Sequence, residues 1–387
     1  MASKKTDTQE KSIDVHSAMR RKVFSTLLLG AGSLALTACG GGSDAGTSSA
    51  DAVANRQKGA RKPASASGAS SASAPQAASS TNTNGVLLDT SFGVKGDGTT
   101  NDRVALQAAI DGSVGQILLI TGKSRIDAKG LDLRQSSHIR FAQGASIKLL
   151  PHNLQVYQMV RVWDVDGVII ENAYLDGSKE LNSARTGEWG MGISINGATN
   201  LTLSSPTTIN CWGDGIYLDN SCSGSNAYSK NITIDNHHAD GCRRQGMSIG
   251  SVSGLVMNNP LWENIGGTAP GCGLDIEPSD SATVLENIKI ISPTTRNCAG
   301  PGIQVELGSF AGTQAKKVSI SIDGHTDVSS KVCAFDVTDL HLNGYPVTGT
   351  ITSTNPVWNV PLNQAFLFTD WDAAGPKVSV INPRIVS

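Results

Sequence analysis

The sequence predicts an all-β chain wound as a parallel solenoid, and three observations carry that expectation. Glycine makes up 42 of 387 residues, whereas aromatic residues are 5% and charged residues 17%, a composition that disfavours helical bundles and coiled coils. From residue 84 onward, short alternating runs are separated by Gly, Asn and Asp, with no helical period after residue 111. Five of these runs align on one glycine: Gly192-Ile193-Ser194-Ile195-Asn196, Gly215-Ile216-Tyr217-Leu218-Asp219, Gly246-Met247-Ser248-Ile249-Gly250, Gly273-Leu274-Asp275-Ile276-Glu277 and Gly302-Ile303-Gln304-Val305-Glu306, spaced by 23, 31, 27 and 29 residues. A second strand family recurs between them, as in Val168-Ile169-Ile170-Glu171-Asn172, Leu201-Thr202-Leu203, Ile232-Thr233-Ile234-Asp235-Asn236, Leu255-Val256-Met257-Asn258-Asn259 and Ile288-Lys289-Ile290-Ile291. Repeats of this length, built of short strands without helices between them, predict a solenoid of roughly ten coils.

The chain before the repeats divides in two. Residues 1–38 end their polar part in Met19-Arg20-Arg21-Lys22, continue through an apolar stretch from Val23 to Leu36, and close with Leu36-Thr37-Ala38-Cys39. That stretch is too short for a permanent bilayer span and has signal-peptide proportions. The small residues before Cys39 resemble a bacterial lipobox, which implies lipidation of Cys39. Arg20-Arg21 resembles a twin-arginine export signal, with Phe24 displaced from the usual place. Gly40 rather than Asp follows the Cys, so the resemblance implies an outer-membrane anchor facing the periplasm or the cell surface. Residues 39–83 are Ser/Ala/Gly-rich with almost no large apolar side chains. Such a segment cannot offset the entropy of ordering and reads as a tether of ~35–40 Å. Residues 84–387 form the expected catalytic solenoid. The formal net charge of −2 conceals a basic leader: the chain beyond residue 38 carries −5, and −7 once the tether is also set aside. A nucleic-acid partner is not expected.

In a solenoid, equivalent strands of successive coils stack at ~4.8 Å. Ile193, Ile216, Met247, Leu274 and Ile303 then face inward, and the polar residues between them outward. Ahead of the first coils stands Phe92-Gly-Val-Lys-Gly-Asp97-Gly98-Thr99-Thr100-Asn101-Asp102, followed by Val104-Ala-Leu-Gln107-Ala-Ala-Ile-Asp111. Thr100 or Asn101 can cap a short helix whose Leu106, Ala109 and Ile110 share a face and plug the open end. This segment, with the repeats behind it, resembles the pectate lyase-like, polygalacturonase-like right-handed parallel β-helix superfamily over about residues 85–345. The superfamily holds hydrolases, lyases, epimerases and phage tailspikes, so the resemblance implies a fold more sharply than a reaction.

Using the five glycines as register, acidic groups converge on the second to fifth aligned coils. Asp275 and Glu277 share a strand face at ~6.6 Å between Cα atoms. Asp219 lies two coils from Glu277, ~9.6 Å away, with Gly250 expected to leave a notch between them. Asp214 occupies Gly213-Asp214-Gly215, followed one coil on by Arg243-Arg244-Gln245 and then by Cys272-Gly273-Leu274-Asp275-Ile276-Glu277-Pro278. Asp214 resembles the Asp in the Asn-Thr-Asp-Gly strand of polygalacturonases. Their Asp-Asp pair, Gly-His-Gly and Arg-Ile-Lys strings are absent, so their substrate and stereochemistry do not carry over. Trp212 falls in one column with Arg243 and can stack on it or serve as a sugar platform. His237-His238 lie on the preceding turn and read as structural or surface groups. The cysteines after Cys39 number six, of which Cys211 and Cys242 occupy one column on neighbouring coils, within disulfide range.

These residues lead to a polysaccharide hydrolase. One carboxyl among Asp214, Asp275 and Glu277 donates a proton to the leaving oxygen while another activates water, without a cofactor. Arg243, Arg244, Gln245, Trp212, Tyr217, Asp219 and Glu306 line the substrate. One rival reading is a lyase or epimerase acting on a uronic-acid polymer, with Ca²⁺ held by Asp219, Asp275, Glu277 and Glu306. Another is a non-catalytic glycan-binding β-helix. Monomer and trimer both remain open at this level.

Overall fold

The computed structural model describes residues 85–223 and 227–386, together with a two-residue strand at Ser12–Ile13. Apart from that strand, the expected signal peptide, Cys39 and the tether lie outside the described residues. The chain winds into a parallel β-solenoid of about ten turns. Three sheets run along it. The first has twelve strands, eleven of them parallel, from Val86–Leu88 to Lys377–Ile381; Ser12–Ile13 adds antiparallel to the last. The second has eleven, from Asp97–Asn101 to Arg384–Ile385, and the third has nine, from Leu131–Asp132 to Phe366–Phe368.

Stacking in register explains why these strands hold together although each is short. In the third sheet Ile193, Ile216, Met247, Leu274, Ile303 and Phe335 succeed one another by direct pairing and are fully buried. Ile195, Leu218, Ile249, Ile276, Val305 and Val337 form a second such column. In the first sheet, Leu201, Ile232, Leu255, Ile288 and Ile320 do the same. Each such side chain contributes ~1.5–3 kcal/mol on burial. The bend between the first and second sheets needs one residue in the left-handed region per coil. Asn172, Ser205, Asn236, Asn259, Ser292, Asn355 and Asn382 supply it, with φ between 50° and 57°. Asn259 Nδ2 donates to Asn236 Oδ1 at 3.4 Å, and Asn382 Nδ2 to Asn355 Oδ1 at 3.3 Å, so some stacked amides also bond along the axis.

The expected plug is present as α1 (Arg103–Gly112), burying Leu106, Ala109 and Ile110. Its cap differs from the expectation. Asp102 stands at the N-cap, and its carboxylate accepts the Lys95 and Gly96 N–H groups at 2.8 and 2.9 Å, tying down the preceding loop. Thr100 Oγ1 donates to Asp97, whereas Asn101 Oδ1 still accepts from Arg103 N at 3.2 Å.

Two histidines are built into the interior by the same three-coil device. Trp262 Nε1 donates to His237 Nδ1 at 3.1 Å, and His237 Nε2 lies 2.9 Å from Thr208 Oγ1. Trp358 Nε1 likewise donates to His325 Nδ1 at 3.0 Å, with Nε2 2.8 Å from Thr295 Oγ1. Because the indole N–H occupies Nδ1, the proton belongs on Nε2 and both rings are neutral. Both are fully buried, and burial lowers each pKa to about 3. His237 is therefore structural, as the sequence suggested, and outside any proton-transfer chemistry.

A folded pKa held below the unfolded one means that the unfolded chain takes up protons the folded chain refuses, so this contribution falls as pH drops from about 6.5 toward 3. His325→Phe leaves Trp358 Nε1 without its acceptor and should cost ~1–3 kcal/mol at neutral pH. Thermal unfolding of parent and variant compared between neutral and acid pH should show a gap that narrows on acidification. A gap independent of pH would contradict the neutral buried ring.

Candidate active site on the third sheet

The register inferred from the five glycines is the register found. Ser194, Tyr217, Ser248, Asp275 and Gln304 are successive partners, followed by Asp336. The turn entering this sheet stacks in the same way: Arg243 N donates to Cys211 O at 2.9 Å and Arg244 N to Gly213 O at 3.1 Å. Asp214, Arg244, Gln245, Asp275 and Glu277 are thereby brought to one place on three consecutive coils.

Arg244 is the centre. Nη1 lies 3.3 Å from Asp214 Oδ2, Nη2 lies 3.3 Å from Glu277 Oε2, and Nε lies 3.7 Å from Glu188 Oε2. Its guanidinium also stands 5.2 Å from the centroid of the Trp189 ring. Asp214 is fully buried; Oδ2 accepts from Ser248 Oγ at 2.8 Å while Oδ1 has no hydrogen-bond partner. Burial outweighs the nearby Arg244 and pushes the Asp214 pKa up to about 6. Asp275 is 1% exposed and accepts from Gln245 Nε2 at 2.7 Å. Burial first, and then the adjacent Glu277 carboxylate, raise it well above the usual carboxylate range, so Asp275 keeps its proton where an exposed Asp would not. Glu277 is the accessible member, with 45% of its side chain exposed, and Glu188 retains 27%.

The outward-facing polar column is therefore not uniformly solvated, contrary to the sequence expectation. Ser194, Ser248 and Asp275 are buried, because Trp163 Nε1 donates to Ser194 Oγ at 2.9 Å and the Arg244 cluster covers the other two. The notch at Gly250 is also filled. A Cβ on Gly250 would fall 2.7 Å from Asp219 Cγ, so the glycine makes room for that carboxylate. Asp219 accepts from Tyr217 Oη and Asn220 N, both at 2.8 Å, and burial raises its pKa to about 6.

The acid column continues toward the C-terminus. Gly308 N donates to Glu306 Oε1 at 2.9 Å, and a Cβ on Gly308 would meet Glu306 and Asp339 at 2.5 and 2.3 Å. Partial burial and Asp339 push Glu306 up to about 8, and burial raises Asp336 to about 6. The four carboxylates considered for calcium do not converge. Among the described residues, the metal-sized groups are instead His238, Asp240 and Glu263, and Asp339, His341 and Asp370. In the first of these, Arg296 Nη1 already lies 2.6 Å from Glu263. The calcium-assisted reading thus finds no preformed site among its proposed ligands.

Arg243 turns away from the carboxylates: it donates to the Gly187 carbonyl and lies 4.3 Å over Trp212. Trp212 is 8% exposed beneath it, so the stacking alternative holds and the platform alternative does not. The accessible aromatic surface belongs to the half-buried Trp163, Trp189 and Tyr217, with Trp189 and Tyr217 edge-to-face at 6.2 Å. Cys211 and Cys242 are both buried free thiols, so no disulfide joins them. Glu188, Trp189, Asp336 and Asp339 were missed by sequence reasoning. Trp189 could have been found by extending the glycine alignment three residues back, where it shares a column with Trp212 and Arg243. The two aspartates lay beyond the alignment, because Ala334 stands where earlier coils have Gly.

No family model and no curated protein matches this sequence. Among solved structures, the pre-mature gene product 12 of bacteriophage phi29 aligns at 20% identity over 70% of this chain, with a TM-score of 0.57. An N-terminal fragment of gene product 12 aligns at 18% over 70%, with a TM-score of 0.52. This chain spans 37% and 47% of those two. An exopolygalacturonase from Thermotoga maritima aligns at 13% identity over 78% of this chain and 91% of its own length, with a TM-score of 0.45. The likeness to the phage protein shows the parallel β-helix fold.

Buried carboxyls with raised pKa stabilise the fold only while protonated, and that contribution is lost as pH rises through the folded pKa. Asp219→Asn keeps an acceptor for Tyr217 and removes the charge. The variant should unfold at a higher temperature than the parent at mildly alkaline pH, by on the order of 2 kcal/mol, with the gap closing as pH falls toward 4. Calorimetry across that range checks the sign.

Proposed function

We propose that the third-sheet face hydrolyses a polysaccharide. The observation that carries this reading is the pairing of a buried carboxyl that retains its proton, Asp275, with an accessible one, Glu277, held by Arg244. Acid-catalysed cleavage of a glycosidic bond needs a proton at the leaving oxygen and a water at the anomeric carbon. In this reading Asp275, the positioning group behind Glu277, is the proton source: its proton passes through the Glu277 carboxylate, which touches the sugar, to the glycosidic oxygen, leaving Asp275 as the anion. Glu188, on the other side of the same guanidinium, accepts a proton from the attacking water. Asp214 is too deeply buried to meet substrate and serves to hold Arg244 in place. Trp189 and Tyr217 offer ring faces to the sugar. Polysaccharide is accordingly the proposed partner, and outer-membrane anchorage through Cys39 remains part of the proposal, placing the site outside the cytoplasm.

The test is incubation with neutral, amino-sugar and uronic-acid polysaccharides, with reducing ends and unsaturated products read in parallel. New reducing ends without unsaturation, reduced ~10²–10⁴-fold in Glu277→Gln, are expected. Asp275→Asn should shift the alkaline limb of the pH–rate profile, where activity falls as the proton source ionises, a change that a purely structural role would not produce. Unsaturated product would replace hydrolysis by β-elimination, and a fully active Glu277→Gln would remove this site.

A further inference from the structure

We infer that the corner between the first and second sheets carries a separate binding site, for a sugar unit bearing one negative charge, on a part of the solenoid away from Glu277. The inference stands apart from the hydrolytic reading and starts from one irregular coil. From Thr121-Gly122 to Asn382-Pro383 the corner is two residues long in every coil except one, where Ala142-Gln143-Gly144-Ala145 takes its place. Ala145 N donates to Ala142 O at 3.0 Å and Gly144 sits at φ 80°, so these residues close a β-turn that stands out from the corner. The turn also interrupts the asparagine ladder. Asn236 Nδ2 donates to Ser205 Oγ and Asn355 Nδ2 to Asp323 Oδ1, both at 3.4 Å, whereas the side chain of Asn172, next after the turn, makes no such bond among the described residues.

Beside this turn lies a cleft of about 620 Å³, lined by Lys123, Gln143, Ser146, Asn172 and Tyr174. Lys123 pairs with Ser146, and Tyr174 follows in the same column on the next coil. One small side chain thus stands between two long ones ~9.6 Å apart, which opens the cleft along the axis. Among the described residues, none of these five side chains makes a hydrogen bond or an ion pair, and Tyr174 is 41% exposed. The charges that border the cleft are committed elsewhere. Glu171 is held by His138 and by Arg140 Nη2 at 2.8 Å, and Lys148 Nζ lies 2.9 and 3.4 Å from Asp176 and Glu180. Asp97, the register partner of Lys123, accepts the Thr99 and Thr100 N–H groups at 2.8 and 2.7 Å, and Arg125 Nη2 donates to Leu149 O at 2.9 Å. Lys123 is the one charged residue lining the cleft, so a ligand meets a single ammonium. Two amides and a hydroxyl offer donors and acceptors together, as sugar hydroxyls require, and the Tyr174 ring offers an apolar face to a pyranose. The ammonium completes the set for a carboxylate or sulfate substituent on that sugar.

Titration calorimetry of the full chain and of its Glu277→Gln variant, at neutral pH and low salt, tests this with four probes. These are an oligomer of galacturonate, a sulfated galactose oligomer, a neutral glucose oligomer and polyglutamate. At least one anionic oligomer should bind ~3-fold or more tightly than the neutral one, equally in both chains, and the tighter of the two identifies the substituent. Tyr174→Ala should weaken that binding ~5-fold. Lys123→Gln should weaken it ~3-fold and remove its salt dependence. Asn172→Asp sets a carboxylate in the cleft without disturbing the corner, since Asp tolerates the left-handed φ of 57°, and should weaken anionic binding at least as much. Unchanged affinity in Tyr174→Ala and Lys123→Gln, loss of binding in Glu277→Gln, polyglutamate or the neutral oligomer bound as tightly as the anionic sugar, or no saturable binding of any probe would each overturn the inference. Reducing ends measured on the same mixtures keep the two readings apart. Binding lost in Tyr174→Ala and kept in Glu277→Gln supports this site even where no polymer is cleaved, an outcome that removes hydrolysis alone.

Discussion

Everything in this molecule depends on one constraint: each position of a coil sits ~4.8 Å from its equivalent in the next. Whatever a column contains is therefore brought against its own kind. For Ile193, Ile216, Met247, Leu274 and Ile303 that is cooperative, since each rung covers the apolar surface of the one before. The asparagine corner gains likewise, because an amide carries both a donor and an acceptor and can bond to its own copy. A carboxylate has no such option. Stacked acids repel, and the column running through Asp219, Glu277 and Glu306 can exist only with relief built around it.

The relief takes three forms, each visible in a particular residue. Gly250 and Gly308 omit side chains, so that Asp219 and the Glu306–Asp339 pair have space to spread. Arg244 places one delocalised cation where it contacts Asp214, Glu188 and Glu277 together, which the planar fork of a guanidinium does better than an ammonium. Protonation handles the remainder: Asp275 and Glu306 hold protons at higher pH than exposed carboxyls because burial and a like neighbour penalise the anion. An arrangement that needs all three is costly for stability. Burial that would be a defect elsewhere also makes a carboxyl a proton donor near neutral pH.

Much of this was legible in the chain. Gly192, Gly215, Gly246, Gly273 and Gly302 gave the third-sheet register without error, because a strand register is set by which residues must point inward, and the pattern of Ile, Leu and Met states that directly. The stacking of Arg243 on Trp212 followed from the same register. What the columns could not convey was depth. Outward along a strand is not outward to water once Trp163, Arg244 and the entering turn fold over it, so Asp214 and Asp275 were read as surface groups although both are buried. Glu188 was invisible for a related reason: it precedes the first aligned glycine and reaches the cluster only through Arg244, a contact between coils with no sequence period.

The three faces of the solenoid finally show why overall charge was uninformative. A triangular coil exposes each sheet separately, and solvent-exposed charges on different faces are screened from one another by water and salt. Lysines in strands of the first sheet and acids on the third nearly cancel in the sum while leaving each face with its own sign. Lys316 illustrates the first face: its ammonium lies 4.1 Å over Phe310, and burial lowers its pKa to about 8. An approaching polymer senses the field of the face it meets, within about a Debye length, rather than the molecular total. On the third sheet that field is anionic around a cation already shared among three carboxylates. The field at Glu277 is therefore set by Arg244 and the carboxylates that share it before the charges of the other two faces count.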